Sequence, residues 1–446
     1  MTGLTFLIVF LILMVLVAIV PRLLRRWHIP SVVSIMLIGI VIGPNALDLI
    51  GRLDEFLGRG YPSEQIYAVL EAIGWLGLVF LMALAGMEVN IRIIKSEKRA
   101  VFWLSLLTFA IPAAAGYAVY ALFEPSDTIG KWVYASLFAS HSVGIVFPVI
   151  RELRVTHTRF GVAVLASTVI TDIASLVLLA ICVQLKRHAV PGGVEGSISI
   201  FDHLGPEVLG RAFPVVFLAV IVAFIALALW LVPKFTRRVL LNLHPNDDAC
   251  ISFFLAGLLV VVFLGELIGV NVVVSAFIAG MAMVGVPAFQ GDGRLLFRKI
   301  EGIGYGFVVP FLFLTIGMKT DLKVLGSAWG NAAIVGATVV GLVVSKVGSG
   351  WLALRLSGFG DKKGLCAGLM TVPQLSATLA AAAVALELEM MSATFFNAIV
   401  CLSVVTTIPV PILVKLLIVK ANIQFDQIDE QIFGPVPEED VDESTI

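Results

Sequence analysis

Long apolar runs separated by short polar connections dominate this chain. The runs extend over roughly 17–25 residues, the length a helix needs to cross a bilayer, and they lack the ten-residue alternation of an outer-membrane barrel. Their pattern predicts an all-α polytopic membrane protein with thirteen transmembrane helices, at residues 4–21, 30–50, 66–87, 100–122, 132–150, 161–185, 212–232, 249–268, 271–287, 303–320, 331–354, 364–386 and 394–418. The connection 186–210 holds Pro191-Gly192-Gly193 and reads as an outer loop before span 7. The segment after Lys420 ends in PVPEEDVDESTI, and its composition predicts an acidic, disordered tail at 421–446.

A weak internal repeat runs through the apolar pattern. Val32-Val33-Ser34-Ile35-Met36-Leu37-Ile38-Gly39 in span 2 matches Val273-Val274-Ser275-Ala276-Phe277-Ile278-Ala279-Gly280 in span 9. Gly86-Met87-Glu88-Val89-Asn90 at the end of span 3 matches Gly317-Met318-Lys319-Thr320-Asp321 at the end of span 10. Each pair is an odd number of spans apart, so the two halves have opposite topology. Inverted repeats of this kind place an ion site near the membrane midplane, between the halves. Span 7 then joins repeat one, spans 1–6, to repeat two, spans 8–13.

Basic residues set the orientation, because they are enriched on the cytoplasmic side. With the N-terminus outside, the inner connections carry Arg22, Arg25 and Arg26; Arg92, Lys95, Lys98 and Arg99; Arg151, Arg154 and Arg159; Arg237 and Arg238; Arg294, Arg298 and Lys299; and Arg355, Lys362 and Lys363. The outer connections are much poorer in them. The expected placement is the cell (inner) membrane, N-terminus outside and C-terminus cytoplasmic.

Composition agrees with the pattern. Of 446 residues 59% are hydrophobic and 14% charged, with a mean hydropathy of +1.03; a soluble protein carries about 25% charged residues. The net charge of −1 identifies no partner, and nothing resembles a nucleic-acid module. No cleavable signal is evident, since Arg22, Arg25 and Arg26 follow the first run instead of preceding it. Cys182, Cys250, Cys366 and Cys401 have no metal-type spacing and read as free thiols in apolar segments.

Against this background a few polar residues stand out. Asp172 lies near the middle of Gly161 to Leu185, where a charged side chain costs roughly 2.5–3.5 kcal/mol on insertion scales. Such a group faces the protein interior or a wet cavity, and it marks an ion or proton path. Lys346 lies halfway along Asn331 to Leu354. Acid and base together point to ion transport; the alternative is a static ion pair between them. Span 5 is interrupted at Ala139-Ser140-His141-Ser142-Val143-Gly144 and span 12 at Thr371-Val372-Pro373-Gln374-Leu375-Ser376. Polar residues with Pro or Gly at matching depth in both halves predict two broken helices, whose free ends offer dipoles and carbonyls to an ion. The alternative is a pair of Pro-kinked structural helices. A carboxylate at such a break holds either a proton or a monovalent cation, and Thr171 offers a hydroxyl beside it. His141 reads either as a proton relay or as a packed polar side chain. Glu71 and Glu266 read as interfacial. No nucleophile–base or metal-ligand constellation suggests an enzyme, and no cofactor is implied.

These residues resemble the monovalent cation:proton antiporter-2 family, which includes Kef-type potassium/proton and bacterial sodium/proton antiporters. The resemblance covers about residues 5–418. It is carried by Ile29-Pro30-Ser31-Val32-Val33 through Gly43-Pro44, Leu81 to Asn90, Ser275 to Gly280, Pro310 to Asp321, and Thr171-Asp172. It implies a homodimer, with a dimerisation domain from 1–99 and 249–330 and a moving core from 100–185 and 331–420. The outer loop and linker helix occupy 186–248. An elevator movement of the core would carry Na+ or K+ one way and a proton the other. Electrogenic relatives carry two adjacent acids in span 6, where this chain has Thr171 before Asp172. That departure implies electroneutral exchange, and it leaves Lys346, whose family partner is the first acid, free to approach Asp172. Span 12 has Pro373-Gln374-Leu375 where many relatives have an Arg-Gly-Glu-like stretch. Two other classes remain: a membrane sensor that keeps the fold without transporting, and a carrier of an organic solute.

Overall fold

The computed structural model describes residues 2–27, 31–57, 63–87, 97–141, 146, 149–150, 153, 155, 158–189, 213–243, 247–270, 272–283, 286, 294–320, 329–407, 409–421, 423 and 425. The helices are α1 (Thr2–Leu24), α2 (Ser31–Ile42), α3 (Leu49–Leu57), α4 (Ser63–Met87), α5 (Lys98–Phe123), α6 (Thr128–Ala139), α7 (Arg159–Ala189), α8 (Phe213–Leu243), α9 (Asp247–Leu267), α10 (Val272–Met283), α11 (Arg294–Ile303), α12 (Val309–Lys319), α13 (Trp329–Leu356), α14 (Asp361–Met370), α15 (Ser376–Glu387), α16 (Ala393–Thr407) and α17 (Pro409–Ala421). A π-helical turn at Gly304–Val308 joins α11 to α12. Among the described residues nine helical stretches are long and apolar enough to cross a membrane. The chain is a multi-pass membrane protein.

The distribution of side chains is that of a protein solvated by lipid. Leu7, Leu11 and Leu23 on α1, and Val215, Val222, Trp230 and Phe235 on α8, are exposed. Apolar faces this extensive are not stable against water. Asp172, Lys346, Gln374 and many Ser and Thr residues are buried instead.

Two helices end sooner than the apolar pattern suggests. The second apolar run reads as a span to residue 50, but α2 stops at Ile42 and the amphipathic α3 starts anew at Leu49. Pro44 has no N–H to donate and disfavours helical geometry at Gly43. α10 likewise ends at Met283. At 12 residues each, α2 and α10 are about 18 Å long.

These two short helices are held by close backbone crossings. A Cβ on Gly39 of α2 would stand 2.2 Å from the Leu314 carbonyl oxygen and 3.0 Å from Gly317 Cα on α12. A Cβ on Gly86 of α4 would stand 2.1 Å from the Phe277 carbonyl oxygen and 3.1 Å from Gly280 Cα on α10. The helices divide by their packing. α1, α2, α4, α8, α9, α10 and α12 form one group, and α5, α6, α7, α13, α14, α15 and α16 the other.

The crossings give a stability test. Gly280→Ala would drive a Cβ to 1.9 Å from the Ala83 carbonyl oxygen, and overpacking of this kind costs about 1–3 kcal/mol or more. Gly336→Ala on α13 meets no atom within 4 Å and should be neutral or gain up to about 1 kcal/mol of helix propensity. Thermal unfolding of the detergent-purified variants should separate them, Gly280→Ala melting clearly lower; equal melting temperatures would refute the crossing.

Candidate ion site at the helix breaks

Both polar interruptions are built by elementary backbone chemistry. α14 ends at Met370, and the Thr371 amide donates back to the Ala367 and Gly368 carbonyls at 3.1 and 3.2 Å. Pro373 cannot donate a helical hydrogen bond and disfavours the helical region for Val372, so helix resumes only at Ser376. α6 ends at Ala139, and Ser140 turns extended at φ −63°, ψ 164°. Ser142 lies outside the described residues, and the structure gives no account of the Ser376 side chain. The break in α14–α15 faces the end of α6 directly. The Gln374 amide nitrogen donates to the Ser140 carbonyl at 2.8 Å, and the Ser140 hydroxyl reaches the Gln374 side-chain oxygen at 3.1 Å and Thr378 Oγ1 at 2.6 Å. Thr378 in turn donates to the Gln374 side-chain oxygen.

Asp172 enters from α7. It is 3% exposed, and its Oδ1 accepts the backbone N–H of His141 at 2.8 Å. Lys346 enters from α13 and is fully buried. A direct approach to Asp172 is not what the structure shows. Its ammonium donates to the Ala139 carbonyl at 2.9 Å and the Ser140 carbonyl at 2.7 Å, and lies 3.4 Å from His141 Nε2. Among the described residues no ion-pair contact joins it to Asp172. The carbonyl of Ser140 and the amide N–H of His141 belong to one peptide group. In a trans peptide they point in opposite directions, so this one group carries a buried ammonium on its oxygen and a buried carboxylate on its nitrogen.

His141 is buried, with its ring between two helices. An ammonium only donates, so Nε2 accepts from Lys346 and the ring proton is assigned to Nδ1. Nδ1 then donates to the Thr171 hydroxyl, which passes its own proton to the Ser167 or Thr168 carbonyl, each at 2.9 Å. Thr171 is therefore engaged with His141 and its own helix, not with Asp172. Thr378 is a member of the site that the sequence reading missed. Its place one helical turn after Gln374 was the available signal. The carbonyls of Ala139 and Ser140 carry no signal of their own in a sequence.

The outlying acids are different. Glu71 is exposed and pairs with Lys319 at 3.3 Å, and Glu266 is half-buried. None of the four cysteines is in a disulfide; Cys182 and Cys366 are buried, Cys250 and Cys401 half-buried.

Comparison with known proteins puts this geometry in context. A family model described as "Sodium/hydrogen exchanger, transmembrane" matches residues 10–420, a broader description than Kef-type. The "Probable Na(+)/H(+) antiporter 3" of Methanocaldococcus jannaschii is 33% identical over 415 residues, which is 93% of this chain and 97% of the relative. The "Na(+)/H(+) antiporter NhaS5" of Synechocystis is 30% identical over 91% of this chain and 54% of its own length. The "K(+)/H(+) antiporter 1" of Saccharomyces cerevisiae is 25% identical over 85% of this chain and 42% of its own. Among solved structures the sodium proton antiporter MjNhaP1 from M. jannaschii at pH 8 aligns with a TM-score of 0.63, covering 94% of this chain and 98% of that one at 16% identity. That likeness is one of fold.

Gln374 is the joint between the two breaks, and its removal is measurable. Gln374→Leu removes the bonds that join the two breaks through this side chain, while Thr378 and Lys346 still partner the Ser140 hydroxyl and carbonyl. Each lost hydrogen bond costs about 0.5–1.5 kcal/mol. The expected outcome is a lower melting temperature in detergent; unchanged stability would mean that the two breaks do not support one another.

Proposed function

The chain belongs to the sodium/hydrogen exchanger family, and we propose that it is a secondary active antiporter exchanging a monovalent cation for a proton at Asp172. The carrying observation is a buried carboxylate held at the broken end of α6 by a backbone N–H. Na+ is the first cation to test, since the relatives at 30% identity and above are named for it; K+ is the second, from the yeast relative. Proton and cation compete for one carboxylate, so loading either releases the other.

The finer reading extends to the whole chain: thirteen spans, two inverted six-helix repeats joined by the linker helix α8, a dimerisation domain and a moving core. The glycine crossings support the repeats. The motif match pairs Gly39 with Gly280 and Gly86 with Gly317, and an exchange of the halves turns the Gly39–Gly317 crossing into the Gly280–Gly86 crossing. Both crossings are close. The two packing groups support the division into domains, with Asp172, Lys346 and Gln374 all in the second. We read the protein as a homodimer in the inner membrane, N-terminus outside, whose core moves as an elevator.

Two outcomes test the proposal. Asp172→Asn should abolish cation-dependent proton flux, read by dequenching of a pH dye in proteoliposomes, while the protein still folds. Near-normal exchange by a well-folded Asp172→Asn protein would remove the central claim. The exchange should also be electroneutral. Thr171 cannot ionise, one carboxylate carries one proton or one monovalent cation, and the charge of Lys346 travels in both directions and cancels, provided it stays protonated. A potential acts on net moved charge with about 2.3 kcal/mol per charge per 100 mV, so one net charge would be conspicuous. A steady current on a solid-supported membrane whose sign follows the cation gradient would demand a second proton carrier.

A further inference from the structure

The group of helices that holds Asp172 carries a groove of about 600 Å³ between α5 and α13. We infer that this groove seats one acyl chain of an anionic phospholipid, whose headgroup is held by Arg99 and Arg355 at its basic end. The site is separate from Asp172 and does not depend on which ions are exchanged.

The walls have the chemistry of a hydrocarbon site. Ile111 and Ala115 line the groove from α5, and Val340, Val344, Gly348 and Leu352 from α13. Val340 and Val344 are largely exposed, so the groove opens outward to lipid. Its polar side chains are engaged elsewhere. Ser345 donates to the Leu342 carbonyl and Ser349 to the Lys346 carbonyl, each at 3.0 Å, and the Trp351 indole N–H donates to Asp361 at 2.9 Å. A wall whose donors are already used recognises hydrocarbon, not an ion or a sugar. From Val340 to Leu352 the groove follows α13 for about 18 Å, close to half of the roughly 30 Å hydrocarbon core of a bilayer. That is the reach of one chain in one leaflet.

Charge gathers at the Leu352 end. Arg99, at the start of α5, donates to the Leu356 carbonyl at the end of α13 at 3.1 Å. The Arg355 guanidinium lies 5.1 Å from the centre of the Trp351 ring, which is itself a wall of the groove. Arg355 also meets Asp361 at 3.4 Å, but both side chains are more than half exposed, and such pairs are weakly held. Glu97 is bonded to Arg159 at 2.6 Å. Lys98 beside Arg99 and Lys362 beside Asp361 are exposed. The balance at this end is positive, and guanidinium groups take phosphate oxygens in pairs. An anionic phospholipid satisfies both parts of the site, phosphate at the arginines and chain along the walls. The sequence reading places this end on the cytoplasmic side, where anionic lipids attract basic residues. An occupied groove braces α5 against α13, the helix that sends Lys346 to the end of α6.

Lipid titration tests this. Delipidated protein in detergent is titrated with phosphatidylglycerol or phosphatidylcholine, and followed by native mass spectrometry and thermal unfolding. Wild type should retain one phosphatidylglycerol per chain in preference to phosphatidylcholine, and melt higher with it. Each arginine near an anionic lipid is worth about fivefold in affinity, so Arg99→Gln with Arg355→Gln should weaken phosphatidylglycerol roughly twenty-fold and erase the preference. Gly348→Leu should fill the groove and lose the retained lipid. A Cβ at Gly348 meets no atom within 4 Å, so the fold has room for it; Val344→Trp, at an exposed wall position, replaces it if it does not fold. Equal retention of the two lipids by wild type overturns the inference, as does undiminished phosphatidylglycerol in both filled variants, which would make the lipid a general coat. Displacement of the lipid by glycerol phosphate would make this a phosphate site without a chain. A change of oligomeric mass in the filled variants, with lipid retention unchanged, would assign the groove to a second copy of the chain. Either result also overturns the inference.

Discussion

One peptide group, between Ser140 and His141, holds the buried charges of this protein together. Its carbonyl accepts from Lys346 and Gln374, and its N–H donates to Asp172. Such a peptide is a dipole with its negative end on the ammonium and its positive end on the carboxylate. Two opposite charges are thereby reconciled without touching. A direct buried ion pair would recover more Coulomb energy, but it would leave each partner saturated by the other, and breaking it would cost about 3–5 kcal/mol. A carboxylate bonded to one amide stays available to a proton or a cation. The break in α6 is what makes this possible, because inside a continuous helix the Ser140 carbonyl and the His141 amide would be bonded to the next and previous turns.

The surrounding polar residues show by contrast why this cluster is special. Thr108 donates to the Leu104 carbonyl, Thr168 to Val164, Ser403 to Ile399 and Thr406 to Leu402. Each is a hydroxyl satisfied within its own helix, the inexpensive way to bury Ser or Thr in lipid. At the site the bonds run between helices: Ser140 to Gln374 and Thr378, His141 to Thr171 and Lys346, Lys346 to Ala139. These elements all belong to one packing group. A network crossing from α7 to α6, α13 and α15 ties those helices to one another. That is the mechanical requirement of the core motion proposed here.

Much of this was legible in the sequence, for identifiable reasons. Asp172 and Lys346 are conspicuous because charge inside an apolar run is costly, and cost implies compensation. The interruption in span 12 is legible because Pro373 forbids helix by covalent structure, and the end of α2 could have been read the same way from Pro44. The partnership of the charges was not legible. Pattern alone suggested that Lys346 turns to the nearest acid; the acceptors it uses are main-chain oxygens, which every residue possesses and no sequence marks. His141 was undecided between relay and packing for a related reason. Its role follows from which ring nitrogen faces Lys346 and which faces Thr171, a matter of approach direction. Thr378 escaped notice because a hydroxyl in the Ala-rich Ser376–Glu387 segment looks like any of the hydroxyls that bond back to their own helix.

The π-helical turn at Gly304–Val308 adds a last element to the mechanical picture. It lies between α11 and α12, in the same packing group as α2 and α4. Such turns insert an extra residue into a helix and redirect everything beyond it. Here α12 continues from the turn into the Gly39–Gly317 crossing, while Phe311 stacks on Phe10 of α1 and Phe307 meets it edge to face. Backbone-to-backbone crossings leave little room for side chains to repack, so this group resists deformation. The two groups meet through α8 and α10 on α7, α15 on α4 and α16 on α2. Asp172 lies on α7 and is bonded to the backbone at the end of α6, so in the antiport proposed here the movement that carries the cation acts on α7, which holds the carboxylate, and on α6, α13 and α15, which hold the peptide beside it.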